Sequence, residues 1–208
     1  MDYRHIVFDV DGTLVDSESC ILHAFRDALE RQSGKKYPLE ELTFCLGITG
    51  ADAVKRFPEL DGDRLLEEWT AGLETYAHTA GIFPGIPELL TTLKNRGCQL
   101  GVATSRTHAE FDKDLERSGL GALFGQVICA DDSETHKPQP GPLLKYMELT
   151  GAKREEILYV GDSLYDSLCA QGAGVDFALA VWGSHTKDRP AKYYPVRPEQ
   201  LLEYGKQE

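Results

Sequence analysis

The chain has 208 residues and 41% hydrophobic content, enough for a real core in one large domain or in a domain carrying an insertion. Acids outnumber bases 34 to 22, for a net charge of -12. That balance argues against a nucleic-acid partner, which calls for a basic face, and it obliges any anionic substrate to meet a local cation or a metal. No stretch approaches the roughly 20 apolar residues that span a bilayer. The start MDYRHIVFDV lacks a long apolar core and a small-residue cleavage site. Cys20, Cys45, Cys98, Cys129 and Cys169 are scattered and never in CxxC spacing, so they are expected to be reduced core residues of a cytoplasmic chain that works without a membrane.

In chain order, HIVFDV (5–10) reads as the first strand. It is a continuous apolar run rather than an alternating one, which indicates cover on both faces. From Ser17 to about Ala80 the pattern is helical. Ile21, Leu22, Phe25, Ala28 and Leu29 form one stripe that stops at Gly34, and Leu65, Leu66, Trp69, Leu73 and Tyr76 form a second. GIFPGIP (81–87) is a stiff connection into the helix ELLTTLKNRG (88–97). The strand CQLGVAT (98–104) follows, then the strand QVICA (126–130). The helix GPLLKYMELTG (141–151) has Leu143, Leu144, Met147 and Leu149 on one face and Gly151 as its stop. After the strand EILYVGD (156–162) the helix SLYDSLCAQG (163–172) closes on Gly172, and FALAVW (177–182) is the last strand. Strands alternating with helices make an α/β fold with a doubly wound, Rossmann-like parallel sheet. A small α-helical domain, residues 16–83, is inserted into a core of residues 1–15 and 84–208.

Ligands of such a sheet bind at the carboxyl ends of its strands. The first strand ends at Asp9 and Asp11, the second at Thr104-Ser105-Arg106, and the fourth in GDSLYD with Asp162 and Asp166. THKPQP, with Lys137, follows the third. Four acids on one edge repel an anion and one another, and a hard divalent cation reverses that sign. Mg²⁺ takes oxygen ligands, a few of them carboxylates, with substrate phosphate and water. Of Asp9 and Asp11, one acid is expected to ligate through its side chain and the other through its main-chain carbonyl. Gly12 permits the tight turn that follows.

FDVDGTLVDS (8–17) resembles the first signature of the haloacid dehalogenase superfamily. Thr104, Lys137 in KPQP, and GDSLYD follow in that family's order across the whole chain. The helical insertion, with FPG at 83–85, resembles the cap of the phosphoglycolate phosphatase and β-phosphoglucomutase branch. The resemblance implies a Mg²⁺-dependent phosphatase. Asp9 would be the nucleophile, forming an aspartyl-phosphate, and Asp11 the general acid and then the base. Asp9, the Asp11 carbonyl and Asp162 would hold the metal. Thr104 and the Ser105 amide would bind the phosphoryl oxygens and Lys137 would neutralise them. Asp166 would hold Lys137 or a metal-bound water. The substrate would be a small phosphorylated metabolite, and the chain a monomer or small homo-oligomer.

Neighbouring residues have blander readings. Ser17 reads as a helix cap, Asp16 as a turn residue and His23 as surface. His136 beside Lys137 and Arg106 beside Ser105 stand within reach of a substrate, although the bystander reading is the stronger for each. The loop CLGITG (45–50) lies where this branch places specificity contacts, and Lys55 and Arg56 read as a solvated face. The rival activities are a β-phosphoglucomutase-like transferase and an inorganic pyrophosphatase. From a different class comes a receiver-type phosphorylation switch, against which the insertion and the DxDGT order argue. The second acid, Asp11, argues against a metal-free dehalogenase.

Overall fold

The computed structural model describes residues 3–112, 119–184 and 188–205. Its strands are β1 (His5–Phe8), β2 (Val15–Asp16), β3 (Gly81–Ile82), β4 (Gln99–Ala103), β5 (Gln126–Ile128), β6 (Ile157–Gly161) and β7 (Asp176–Leu179). Five of them form one parallel sheet in the order β5-β4-β1-β6-β7. The chain fills one side of β1, then crosses to the other. The crevice beyond the carboxyl ends of β4, β1 and β6 is therefore the site expected in a doubly wound sheet.

The continuous apolar strands follow from cover on both faces. Ile6 and Phe8 belong to a core with Ile86, Leu90 and Leu93 of α5 (Ile86–Asn95). Val7, between them, points the other way. It packs with Leu143 and Tyr146 of α7 (Gly141–Thr150), which follows the one-turn helix α6 (His108–Phe111) in the chain, and with Ala170 of α8 (Leu164–Ala173).

Between β2 and β3 lie α1 (Glu18–Ser33), α2 (Leu39–Leu42), α3 (Gly50–Val54) and α4 (Gly62–Tyr76). These helices share a core of their own, in which Leu22, Phe25, Ala28 and Leu29 of α1 meet Leu65 and Trp69 of α4. Phe25 stacks on Trp69 with ring centroids 4.2 Å apart. The two chain crossings are tied together, since β2 and β3 pair antiparallel, Val15 with Ile82 and Asp16 with Gly81. Asp16 is thus a strand residue, not the turn residue expected.

Three other expectations shift. On α7 the buried stripe is Pro142, Leu143 and Tyr146, whereas Leu144 and Leu149 are 42% and 52% exposed. At 3.6 residues per turn, positions 144 and 149 fall away from the face that holds 143 and 146. The helix α8 runs through Gly172 and ends at Gly174, whose φ of 72° gives the left-handed stop. The last strand ends at Leu179 rather than near 182, because Gly183 folds back onto the backbone of Gly12, where a Cβ would collide. All five cysteines are free and buried, as expected. Among the described residues no helix is long and apolar enough to cross a membrane.

Gly101 on β4 faces the ring of Tyr146 so closely that a Cβ would overlap it. Gly101→Ala is expected to lower the unfolding free energy by about 1–3 kcal/mol, measured by urea denaturation. An unchanged midpoint and slope would mean that the ring yields freely.

Candidate active site at the carboxyl edge of the sheet

Strand ladders carry the acids to one edge. The Asp9 N–H donates to Val160 O at 2.8 Å, extending the β1–β6 pairing, and the Thr104 N–H donates to Ile128 O at 3.0 Å, extending β4–β5. Asp162 follows β6 directly. Gly12 then turns the chain back with φ 72°, and a Cβ there would strike the Asp162 carboxylate. Only glycine combines that dihedral with that approach. The turn brings Thr13 Oγ1 to 3.0 Å from Asp162 Oδ1, to which it donates.

Lys137 joins the acids. Its Nζ lies 2.8 Å from Asp9 Oδ1 and 2.8 Å from Asp166 Oδ1, with its side chain fully out of solvent. Asp166 is fixed by its own helix start. Ser163 caps α8 and Asp166 answers it, receiving the Ser163 N–H at 3.0 Å and Oγ–H at 2.5 Å, while Tyr159 Oη lies 2.8 Å away. Asp166 is therefore saturated by donors and serves to hold Lys137.

The charges explain the protonation tendencies. Burial and the neighbouring Asp166 push the Asp9 carboxyl up to about 7 against the pull of Lys137. Burial, Asp166 and Asp9 likewise raise Asp162. Burial disfavours the Lys137 ammonium, but Asp166 and Asp9 outweigh it and hold the charge.

The same arithmetic fits a divalent cation. Asp9, Asp11, Asp162 and Asp166 bring four negative charges, against two positive ones on Lys137 and Arg106. Carboxylate oxygens of Asp9, Asp162 and Asp166 lie within 4.8 Å of one another. With Asp166 saturated, Asp9 and Asp162 are the side chains suited to a hard ion.

Asp11 has partners that sequence reasoning missed. Arg106 Nε donates to Oδ2 at 2.8 Å and Nη2 to Oδ1 at 2.6 Å, a two-pronged clamp, and Ser17 Oγ donates to Oδ1 at 2.5 Å. Ser17 precedes α1 but makes no side-chain cap bond, so its expected capping role is replaced by this contact. Burial pushes the Asp11 carboxyl up, but the charge and hydrogen bonds of Arg106, with Ser17, hold it below the usual carboxylate range. An arginine one residue past a strand-end serine was the available signal. Its partner stands 95 residues away in the chain, beyond the reach of spacing.

The helical insertion lies across this edge. Ser105 Oγ donates to Gly47 O at 2.9 Å, and Tyr165 Oη donates to Phe44 O at 3.1 Å, joining the loop around 45–50 to the strand-end loops. His136 Nδ1 is 3.7 Å from Asp52 Oδ2. Lys55 pairs with Asp52, and the Arg56 guanidinium lies 4.3 Å from the Phe44 ring centroid. Thr104 Oγ1 accepts the Arg106 N–H at 3.2 Å. Elsewhere on the edge, His108 Nε2 is 2.8 Å from Asp132 Oδ2, which also accepts the Cys129 N–H, so this trio braces a loop.

The family described as haloacid dehalogenase-like hydrolase matches residues 6–180. Pyrophosphatase PpaX of Halalkalibacterium halodurans is 31% identical over 200 residues, covering 94% of this chain and 91% of its own length. A Lactobacillus plantarum structure titled "putative phosphoglycolate phosphatase" superposes with a TM-score of 0.87 at 27% identity, covering 98% of this chain and 99% of that one. A subfamily IA haloacid dehalogenase superfamily hydrolase from Geobacter sulfurreducens superposes with a TM-score of 0.71 at 27% identity, covering 97% of this chain and 98% of that one.

Asp166→Ala leaves the buried Lys137 charge with Asp9 as its one carboxylate partner among the described residues and removes the acceptor of the Ser163 N–H and hydroxyl. It is expected to cost about 3–5 kcal/mol of folding stability, read from chemical denaturation. A loss below about 1 kcal/mol would show that Asp9 alone suffices to hold Lys137.

Proposed function

The chain belongs to the haloacid dehalogenase-like hydrolase family, and from that premise we propose that it is a Mg²⁺-dependent phosphatase of a small phosphorylated metabolite. The observation that carries the reading is the buried Asp9–Lys137–Asp166 chain beside Asp162 at the carboxyl edge. A saturated Asp166 and a sealed lysine contribute nothing to an ordinary strand exit. They hold one carboxylate oxygen of Asp9 and leave its other oxygen for chemistry.

In this reading Asp9 attacks phosphorus. The bond from phosphorus to the leaving oxygen breaks, and Asp11, which must first take up a proton from solvent, gives that proton to the leaving oxygen. Asp11 then takes a proton from water, the water oxygen attacks the aspartyl-phosphate, and the bond to Asp9 breaks. Lys137, the Thr104 hydroxyl and the Ser105 amide bear the charge on the transferring group. Mg²⁺ held by Asp9, Asp162 and the main-chain carbonyl of Asp11 would supply a hard positive charge facing the phosphoryl oxygens. Residues 16–83 act as a cap over a core of residues 1–15 and 84–208. The β2–β3 pair is the hinge, and the contacts from Ser105 to Gly47 and from Tyr165 to Phe44 are the closed-state latches. The chain works in the cytoplasm as a monomer or small homo-oligomer, without nucleic-acid or membrane partners.

Pyrophosphate and phosphoglycolate are the substrates to test first, since the relatives above are named for them. Asp9→Asn is expected to lower phosphate release on the order of 10⁴-fold or more. The fold should survive, because Asp9 is already pushed toward its neutral form. Turnover comparable to that of the native chain, in a phosphate-release assay with Mg²⁺, would overturn the assignment.

The metal site carries a pH dependence. Metal ligands must be deprotonated, and Asp9 and Asp162 both have raised carboxyl pKa values, Asp9 to about 7. Protons therefore compete with Mg²⁺ below that point. Mg²⁺ affinity should rise as pH increases through about 7, on the order of tenfold per pH unit for each proton displaced. Calorimetric titration at several pH values reads this directly, and an affinity flat from pH 5 to 8 would contradict it.

A further inference from the structure

Two cations serve the site, and they differ in access. Lys137 has no exposed side-chain area and its contacts are to Asp9 and Asp166. Arg106 is 12% exposed and clamps an Asp11 that is 21% exposed, so this pair lies toward the opening. Its backbone is pinned, since the Arg106 N–H donates to Thr104 Oγ1 at 3.2 Å and its carbonyl accepts the Ala130 N–H at 2.8 Å. The guanidinium, whose Nη1 also donates to Glu110 O at 3.5 Å, is thus anchored two residues from the hydroxyl proposed to hold the phosphoryl group.

Asp11 is over-held for its proposed task. Oδ1 accepts from Arg106 and Ser17, and Oδ2 accepts from Arg106. To reach a leaving oxygen, the carboxyl must give up one of these bonds. A planar guanidinium accepts a carboxylate or a phosphate on the same fork. Leaving it unpaired in a partly dry site is costly.

We infer that Arg106 selects substrates that carry a second anionic group beside the phosphoryl group, exchanging the Asp11 carboxylate for that group and so freeing Asp11 toward the leaving oxygen. The inference rests on the phosphatase reading above. Ser17 keeps its bond to Asp11 through the exchange. A leaving side without charge offers the fork nothing, so the clamp stays on Asp11. The chain's net charge of -12 adds to the need for such a cation, because its long-range field repels a multiply charged substrate. Among the described residues, two bases of the helical insertion are engaged, Lys55 by Asp52 at 2.7 Å and Arg56 against the Phe44 ring. Pyrophosphate and phosphoglycolate, which name relatives of this chain, share the required chemistry. One carries a second phosphate, the other a carboxylate.

The test is a ratio. For the native chain, Arg106→Met and Arg106→Lys, kcat/KM is measured with Mg²⁺ on pyrophosphate, on phosphoglycolate and on phenyl phosphate, whose leaving side carries no second anion. Ratios taken on one preparation are independent of the fraction folded. Whatever loss is common to all three substrates, Arg106→Met should lower the ratio of the better dianionic substrate to phenyl phosphate by roughly 30-fold, the effect of one lost two-pronged charged contact. Arg106→Lys should fall between, because it keeps the charge but not the fork. If Arg106→Met is insoluble, the lysine variant carries the same comparison. A ratio unchanged within about threefold overturns the inference. If all rates fall together, Arg106 only positions Asp11. A native chain inactive on all three substrates is a different failure, that of the phosphatase reading, and it is seen before any variant is made.

Discussion

Lys137 Nζ is held 2.8 Å from Asp9 Oδ1 and 2.8 Å from Asp166 Oδ1, shut away from solvent, and the geometry of the carboxyl edge follows from satisfying that charge. An ammonium without water needs anions at hydrogen-bond distance, and those anions need further donors. Asp166 finds them in the start of α8 and in Tyr159, whose hydroxyl also lies 3.0 Å from Ala103 O on β4. One buried cation thereby ties together the ends of β1, β4 and β6 and the first turn of a helix. Asp162, raised by the same crowd of acids, is left with a single threonine donor, Thr13. With Asp9, it is a carboxylate with capacity for another partner.

A second cation plays a different part. Arg106 meets Asp11 near the opening, and Ser17, the first residue beyond β2, meets the same carboxylate from the helical insertion. Asp11 therefore lies where the strand-end loops and the insertion touch. The insertion has its own aromatic core and returns to the sheet through the β2–β3 pair, so its position over the edge rests on a few polar contacts rather than on a shared apolar core. Contacts of that kind suit a surface that opens and closes, in keeping with the proposed cap.

Local chemistry made much of this legible. The apolar runs of β1, β4 and β6 announced buried parallel strands, and Gly34 and Gly151 announced helix ends. The acids of FDVDG and GDSLYD stood out because carboxylates closing apolar strands serve no packing purpose. The misreadings came where a neighbour distant in sequence decides. Ser17 has the sequence of a cap, yet its hydroxyl is claimed by Asp11. Arg106 resembles any loop arginine until the edge of β4 sets it against the turn after β1. Leu144 and Leu149 fit an apolar helix by composition, and only the angular position of Tyr146 shows which side is buried.

By itself the sequence determined the class of fold, the order of its elements and the residue types gathered at the strand ends. Those follow from backbone propensity, from the burial of apolar runs and from the cost of placing acids in strands, all of which act over a few residues. Tertiary structure alone decided the pairings: which acid holds Lys137, which cation holds Asp11, and how the insertion meets the edge. Hydrogen bonds and ion pairs depend on fractions of an ångström between groups brought together from opposite ends of the chain, and no local pattern encodes those distances.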